Sequence, residues 1–323
     1  MRTPVASTSN AAPAVSEHTN AFARLLGNDG NPPKLSRAQI GSYLEDNRRS
    51  AESLLAAFHL DDDRSLLQEA VEKCPNDPCI NFAGWVASRR NDEGSAEERR
   101  RWLEAFKKSA PDNALADYLP AQEYFKAGQG DRAVQELIAA SGKSRFQDYA
   151  AEQVQNLEEA YRSAGCSEAE AKAAASYDLS LPQLSDLKHL SENLRNLAGL
   201  YRQAGDEPSA QAALELGLQM GRRLGEAAQG ASLITQIGTA TGIQRNLFSA
   251  MDPNAPYGPG GQTVQDQLSA LGQYASSWKG LWKQADPILQ TMSDQELIGY
   301  FDRMKTLGEL EALRWVVNRQ ETH

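Results

Sequence analysis

The sequence predicts an all-α fold, an α-solenoid of helix-turn-helix repeats followed by a C-terminal helical cap. A short phrase recurs three times: Tyr-Phe-Lys-Ala-Gly at Tyr124–Gly128, Tyr-Arg-Ser-Ala-Gly at Tyr161–Gly165 and Tyr-Arg-Gln-Ala-Gly at Tyr201–Gly205. The spacings of 37 and 40 residues match the period of a two-helix repeat. Helix-start signals and apolar residues three and four apart then run from Ser36 almost to the C-terminus. In each phrase the tyrosine is a bulky anchor near a helix end. The glycine supplies the left-handed conformation that ends the helix and lets the next one fold back.

Composition narrows the function. The 323 residues carry 43 acidic and 33 basic side chains, a net charge of −10, which argues against wholesale wrapping of nucleic acid. Three cysteines make no disulfide framework. Cys74 and Cys79 flank a Pro75-Asn76-Asp77-Pro78 turn and read as free thiols. Cys166, beside a helix start, is a candidate for a lowered thiol pKa, without a catalytic partner set around it. Residues 1–35 are rich in Ala, Ser, Thr, Asn and Pro and are expected to be disordered, with Phe22, Leu25 and Leu26 offering one helical turn. No apolar run is long enough to cross a membrane. The cytoplasm is the default location. The Ser/Ala/Pro-rich leader also resembles the tether that follows an anchor, so a periplasmic or anchored protein is the alternative.

The elements follow in order. Ser36 with Gln39 opens a helix carrying Ile40, Tyr43, Leu44, Leu54, Leu55 and Phe58, with His59 at its end. Asp61, Asp62 and Asp63 supply negative charge to the start of the next. A helix from Pro78 carries Ile80, Phe82, Trp85 and Val86; another, opened by Ser95 and Glu98, carries Trp102, Leu103 and Phe106. Pro75 and Pro111 lie 36 residues apart, so the period extends upstream. The basic run Arg89, Arg90, Arg99, Arg100, Arg101, Lys107 and Lys108 is interleaved with Glu97, Glu98 and Glu104, and reads as an ion-paired solvated face.

Leu181-Pro182 starts a long leucine-rich helix. The helix after Asp206 shows Ala213, Gly217, Gly221 and Gly225, small residues suited to a close helix crossing. The pattern changes after Leu224: a tyrosine-free helix runs from Leu233 to Met251, and Asp252–Gln262 is a Pro/Gly-rich loop. Thr263 caps a helix with Val264, Leu268, Leu271, Tyr274, Trp278, Leu281 and Trp282. Ser293 with Glu296 opens a final helix from Leu297 to Val316. The expected units are 1–35, repeats over 36–224, and a cap over 225–323, with Trp278, Trp282 and Trp315 read as core and an exposed aromatic docking patch as the alternative.

The stretch from Asn113 to Ala140 resembles a tetratricopeptide repeat. Tyr124 and Gly128 occupy the family's tyrosine and glycine places, Ala121 and Ala133 its small-residue places, and Leu137 and Ala140 continue the face. Ser191–Leu218 is similar through Leu197, Ala198, Tyr201, Gly205, Ala210 and Leu214. The middle copy departs, with Glu158 and Glu170 where small residues are expected. The resemblance covers about half the chain and suggests a divergent bacterial member. It implies that Ala133 and Ala210 sit at close helix crossings, and that the first helix of each pair lines a concave face.

In the tyrosine frame that face comprises Tyr118, Gln122, Phe125 and Lys126; Gln155, Glu159 and Arg162; and Arg195, Arg202 and Gln203. Its arginines and lysine suit an acidic segment or a C-terminal carboxylate. The family's own carboxylate-binding lysine and asparagine are not reproduced, since Tyr118 and Gln122 stand there. No catalytic, cofactor or metal motif accompanies the repeats, and the four histidines are scattered. The expected function is a non-enzymatic scaffold for a protein or peptide. The alternative is an enzyme or small-molecule binder with a cleft between the repeats and the C-terminal helices.

Overall fold

The computed structural model describes residues 20–22, 24, 31–89, 95–227 and 233–320. Among them every regular element is a helix, and β pairing is confined to two isolated bridges, Asn113 with Arg145 and Pro256 with Thr263. Ser36 and Gln39 form the capping box of α1 (Arg37–Asp46). The helix expected to continue to His59 instead breaks at Arg48 and Arg49, both left-handed with φ of 52° and 50°. A Ser50 cap then starts α2 (Ala51–Asp61).

Such a conformation is unfavourable for residues with a Cβ, and tertiary bonds hold it. Arg49 Nε donates to both Glu69 carboxylate oxygens at 2.9 and 3.1 Å, and Lys73 Nζ donates to the Arg49 carbonyl at 2.7 Å. Both partners belong to α3 (Arg64–Lys73), which Asp63 caps. Asp77 caps α4 (Pro78–Ala87), where Pro78 fills the first position and its missing N–H costs nothing. Ser95 caps α5 (Ala96–Ser109).

Three helix pairs contain the repeated phrase: α6 (Leu115–Lys126) with α7 (Gly130–Ser141), α8 (Ala150–Ser163) with α9 (Glu168–Tyr177), and α10 (Pro182–Gln203) with α11 (Glu207–Ala227). Their first helices end identically. Gly128, Gly165 and Gly205 have φ of 69°, 95° and 79°. The next residue, Gln129, Cys166 or Asp206, donates its N–H to the tyrosine carbonyl at 2.9, 3.1 and 2.9 Å, while the glycine N–H bonds one residue further on. This double bond satisfies carbonyls that a helix end leaves without partners.

The pairs do not stack in chain order. α6 packs directly on α10, and α7 on α11, so the first and third copies are neighbours. α8, expected between them, packs on α1, α2 and its own partner α9. Glu158 marks the departure: its buried carboxylate pairs with Lys172 of α9 at 3.2 Å and with Lys305 at 3.0 Å. Lys305 lies on α14 (Asp294–Leu307), against which α9 packs. The place beside α10 and α11 goes to α12 (Ile234–Phe248), followed by α13 (Val264–Leu289) and α15 (Glu309–Gln320). Helix contacts therefore close a circuit: α2, α4, α5, α6, α10, α12, α13, α15, α14, α9, α8 and back to α2.

Ala133 and Ala210 are fully buried. On α11, a Cβ added to Gly217 would lie 2.6 Å from Leu247 Cδ1, and one added to Gly221 would lie 2.9 Å from both Ile243 and Gln244. The spaced small residues thus let α12 approach α11 closely. One apolar cluster runs from Phe82 through Leu224 to Val264, across the boundary expected at residue 224. The expected final helix breaks into α14 and α15 at Gly308, whose φ of 87° ends the first.

Residues of the leader expected to be disordered are packed on C-terminal helices. The Asn20 amide donates to the carbonyls of Leu289 and Met292 at 2.8 and 2.6 Å, Phe22 is buried, and Arg24 pairs with Glu170 and Asp294 at 3.0 and 3.3 Å. Leu25, Leu26 and residues 1–19 lie outside the described residues.

Candidate functional site

The residues expected to line a concave groove divide into three groups. Tyr118 and Gln122 are buried, 1% and 3% exposed, because α10 rather than α8 covers that face of α6. The Tyr118 hydroxyl accepts from Arg223 at 3.4 Å, and Gln122 Oε1 accepts from Asn193 at 3.0 Å. These two therefore do not face a groove. Phe125 is half-buried against the core; Lys126 is exposed and donates to Glu123 at 2.7 Å and Asp186 at 3.3 Å. Gln155, Glu159 and Arg162 are exposed on α8, which packs elsewhere. On α10, Arg195 donates to Asn246 at 3.0 Å, Arg202 donates to Glu207 at 3.1 Å and to the Ala250 carbonyl at 2.6 Å, and Gln203 is exposed. The α6 and α10 sets are brought near each other, the α8 set is not, and much of the expected positive charge is engaged within the chain.

The basic stretch around α5 is ion-paired in part, through Arg89, Arg99 and Lys107, and with acids of other helices rather than the interleaved Glu97 and Glu104; Arg90 lies outside the described residues. Arg64 meets Glu98 at 3.9 Å, Arg99 meets Glu123 at 3.4 Å, and Lys107 joins Glu136 and the buried Asp117. Burial acts to lower the Lys107 pKa, but bonds to Glu136 and Asp117 outweigh it and leave it raised. A cleft of about 300 Å³ between α5 and α6 thus contains its own counterions.

A groove along α13 has a different electrostatic character. It holds about 950 Å³, and among the described residues its ionisable lining is Arg245 of α12, Lys279 of α13 and Arg314 of α15, with no carboxylate. Arg314 pairs with the neighbouring Glu311, while Lys279 lies over the Trp278 ring with its ammonium 5.5 Å from the centroid. Arg245 and Lys279 are exposed. Gly272 and Gly280 also line the groove, and a Cβ at either would meet nothing within 4 Å. A helix-interior glycine costs about 1 kcal/mol relative to alanine, and no contact among the described residues calls for these two. α13 is 26 residues long, yet only Val264, Ala275, Ala285 and Leu289 are buried. Tyr274 and Trp282 are 43% and 37% exposed, so the helix is less covered than its apolar pattern implies. The three cations come from three helices, a juxtaposition without a local sequence signal.

A second concavity, about 500 Å³, lies where α9, α10, α12, α13, α14 and α15 meet. This is the position expected for a cleft between the repeats and the C-terminal helices. Aromatic walls include Tyr177, Trp282, Tyr300 and Phe301, and its ionisable acids are Asp286 and Glu309. Glu309 accepts the Ile234 N–H at 2.7 Å, capping the start of α12, and a bond from the Tyr300 hydroxyl. Burial pushes the Glu309 carboxyl above its ordinary range, against both hydrogen bonds. Burial and the Glu309 charge likewise raise the Tyr300 phenol.

The cysteines are free. Burial pushes the Cys79 thiol up to about 12. The Cys166 thiol is also raised, by burial and Glu170, in the opposite direction to the one expected from its helix start. The three C-terminal tryptophans have separate environments: Trp278 sits near Gly238, Trp282 is exposed and lines the second concavity, and Trp315 packs against the C-terminal apolar cluster with the guanidiniums of Arg303 and Arg319 over its ring. Among the described residues no helix is long and apolar enough to cross a membrane. Comparison with protein-family models, curated proteins and solved structures finds no match.

Proposed function

We propose that the chain is a non-enzymatic, tetratricopeptide-like interaction scaffold that binds an acidic helical segment of another protein in the groove along α13. The observation that carries this reading is the set Arg245, Lys279 and Arg314 with no carboxylate among the lining residues, on a chain of net charge −10. Guanidinium and ammonium groups favour carboxylates, and an amphipathic helix laid in a groove is a recurring mode of recognition. Gly272 and Gly280 leave room for a partner's side chains to approach the α13 backbone. The half-covered apolar stripe of α13 supplies the non-polar contact, and the cations set the preferred charge of the partner.

The test uses two fluorescein-labelled amphipathic helical peptides of equal length, one with a glutamate polar face and one with a lysine polar face. Fluorescence anisotropy should show binding of the glutamate peptide, weakening as salt is added. Combined Arg245→Glu and Lys279→Glu substitutions should abolish it, while Arg195→Glu with Arg202→Glu should leave it unchanged. Equal binding of the lysine peptide, or full retention by the Arg245/Lys279 variant, would exclude this groove. Loss in the Arg195/Arg202 variant alone would return the site to α10.

A further inference from the structure

The second concavity is chemically unlike the first. Its volume of about 500 Å³ lies within the range of small-molecule sites. Among the described residues no lysine, arginine or histidine lines it. Elsewhere this protein gives its buried carboxylates two cations each: Asp117 has Lys107 and Lys143, Asp186 has Arg89 and Lys126, and Glu158 has Lys172 and Lys305. Asp286 and Glu309, both half-buried, have none within ion-pair distance among the described residues; the Asp286 carboxylate accepts a 3.3 Å bond from Gln290, and Glu309 accepts from Ile234 and Tyr300. Around the two acids stand aromatic faces, with Tyr300 and Phe301 buried and Tyr177 and Trp282 partly exposed.

We infer that this cavity binds an organic cation with an apolar body, an amphipathic amine whose ammonium meets Asp286 and Glu309 and whose hydrocarbon lies among Tyr177, Trp282, Tyr300 and Phe301. An ammonium supplies the counterion that the two carboxylates lack, and the aromatic faces add cation–π attraction. The apolar lining, with Leu181 and Met304, accepts the hydrocarbon. A carboxylate or phosphate ligand would be repelled by both acids. The lining of this cavity and that of the α13 groove share no residue, Leu281 belonging to the groove and Trp282 to the cavity, so the charge substitutions that test one leave the other's charged residues in place.

Octylamine, octanoate and 1-octanol share one chain length and differ in head group. Titrated into the full chain at neutral pH and below their micellar range, they should rank clearly by calorimetry and by tryptophan fluorescence. Octylammonium should bind at least about tenfold more tightly than the other two. Asp286→Asn and Glu309→Gln should each weaken octylammonium by about tenfold without weakening octanol, and Glu309→Gln keeps an oxygen to accept the Ile234 N–H. Trp282→Phe should erase the fluorescence response while calorimetric binding persists. Equal binding of octanoate or octanol, no binding of octylammonium, or a fluorescence response that survives Trp282→Phe would each overturn the assignment.

Discussion

The Lys172 ammonium lies 3.2 Å from the Glu158 carboxylate, with the two side chains only 7% and 8% exposed. This pair ties α9 to α8, and through Lys305 to α14, in place of the small-residue contact that a regular repeat makes. Removing one partner of a buried pair leaves the other charge poorly solvated. Lys172→Leu should cost about 3 kcal/mol, at the low end of the usual range because Lys305 stays beside Glu158. Lys172→Leu combined with Glu158→Leu should recover part of that loss. Urea unfolding of both variants is the check, and a harmless single substitution would contradict the packing described.

Acid should weaken the tie between the Arg49 turn, which joins α1 to α2, and α3. The Arg49 fork, helped by Lys73, holds the Glu69 carboxyl at about 2, below its ordinary value of 4.5. A carboxyl depressed in the folded state contributes its full stability above the unfolded value. That contribution is lost as pH falls from 4.5 towards about 2. Glu69→Gln should therefore lower the thermal midpoint at neutral pH and flatten its fall across this window. A variant with the wild-type acid profile would show that the fork does not persist in solution.

Two glycines on α11 should respond oppositely to alanine. At Gly225 a new Cβ would sit 3.6 Å from Ala240 Cβ, an ordinary contact, so the gain in helix propensity should appear as up to about 1 kcal/mol of stability. At Gly217 the new Cβ would sit 2.6 Å from Leu247 and 3.1 Å from Leu194, both fully buried. Overpacking of about 1–3 kcal/mol should cancel or exceed the same gain. Denaturation midpoints that rise equally in both variants would mean a looser α11–α12 crossing.

The sequence revealed the features whose causes are local. The cap after Tyr124, Tyr161 and Tyr201 needs only a glycine four residues on, and the boxes at Ser36, Thr263 and Ser293 need only a partner three residues on. What it concealed depends on distant residues. Arg49 is left-handed because Glu69 and Lys73 hold it. α8 packs away from α6 and α10 in company with Glu158, whose second cation, Lys305, is 147 residues away. Tyr118 and Gln122 carry the correct spacing for a groove, but their exposure depends on which helix arrives next, and α10 arrives in place of α8. The break at Gly308 was hidden by an apolar pattern that continues through it. The α13 groove needed three helices before its charge could be recognised.

Asp148 stands where the chain enters α8, and it fastens that displaced helix to two others. Its Oδ2 accepts from Gln183 Nε2 at 3.0 Å and from Gln236 Nε2 at 2.8 Å, at the starts of α10 and α12. The next residue, Tyr149, is left-handed with φ of 58°, and its ring packs 5.9 Å from Phe82 and 6.1 Å from Phe106. Gln183 is fully buried, and its Oε1 has no hydrogen-bond partner among the described residues, so the bond to Asp148 is its side chain's main compensation for burial. Asp148→Ala should strip the acceptor from two amides and cost about 1–3 kcal/mol. Gln183→Leu in that background should be less damaging than in the wild type, because it removes an amide already left without its acceptor. A double-mutant cycle by urea unfolding reads this coupling directly. Strict additivity would show that Asp148 and Gln183 do not share a bond.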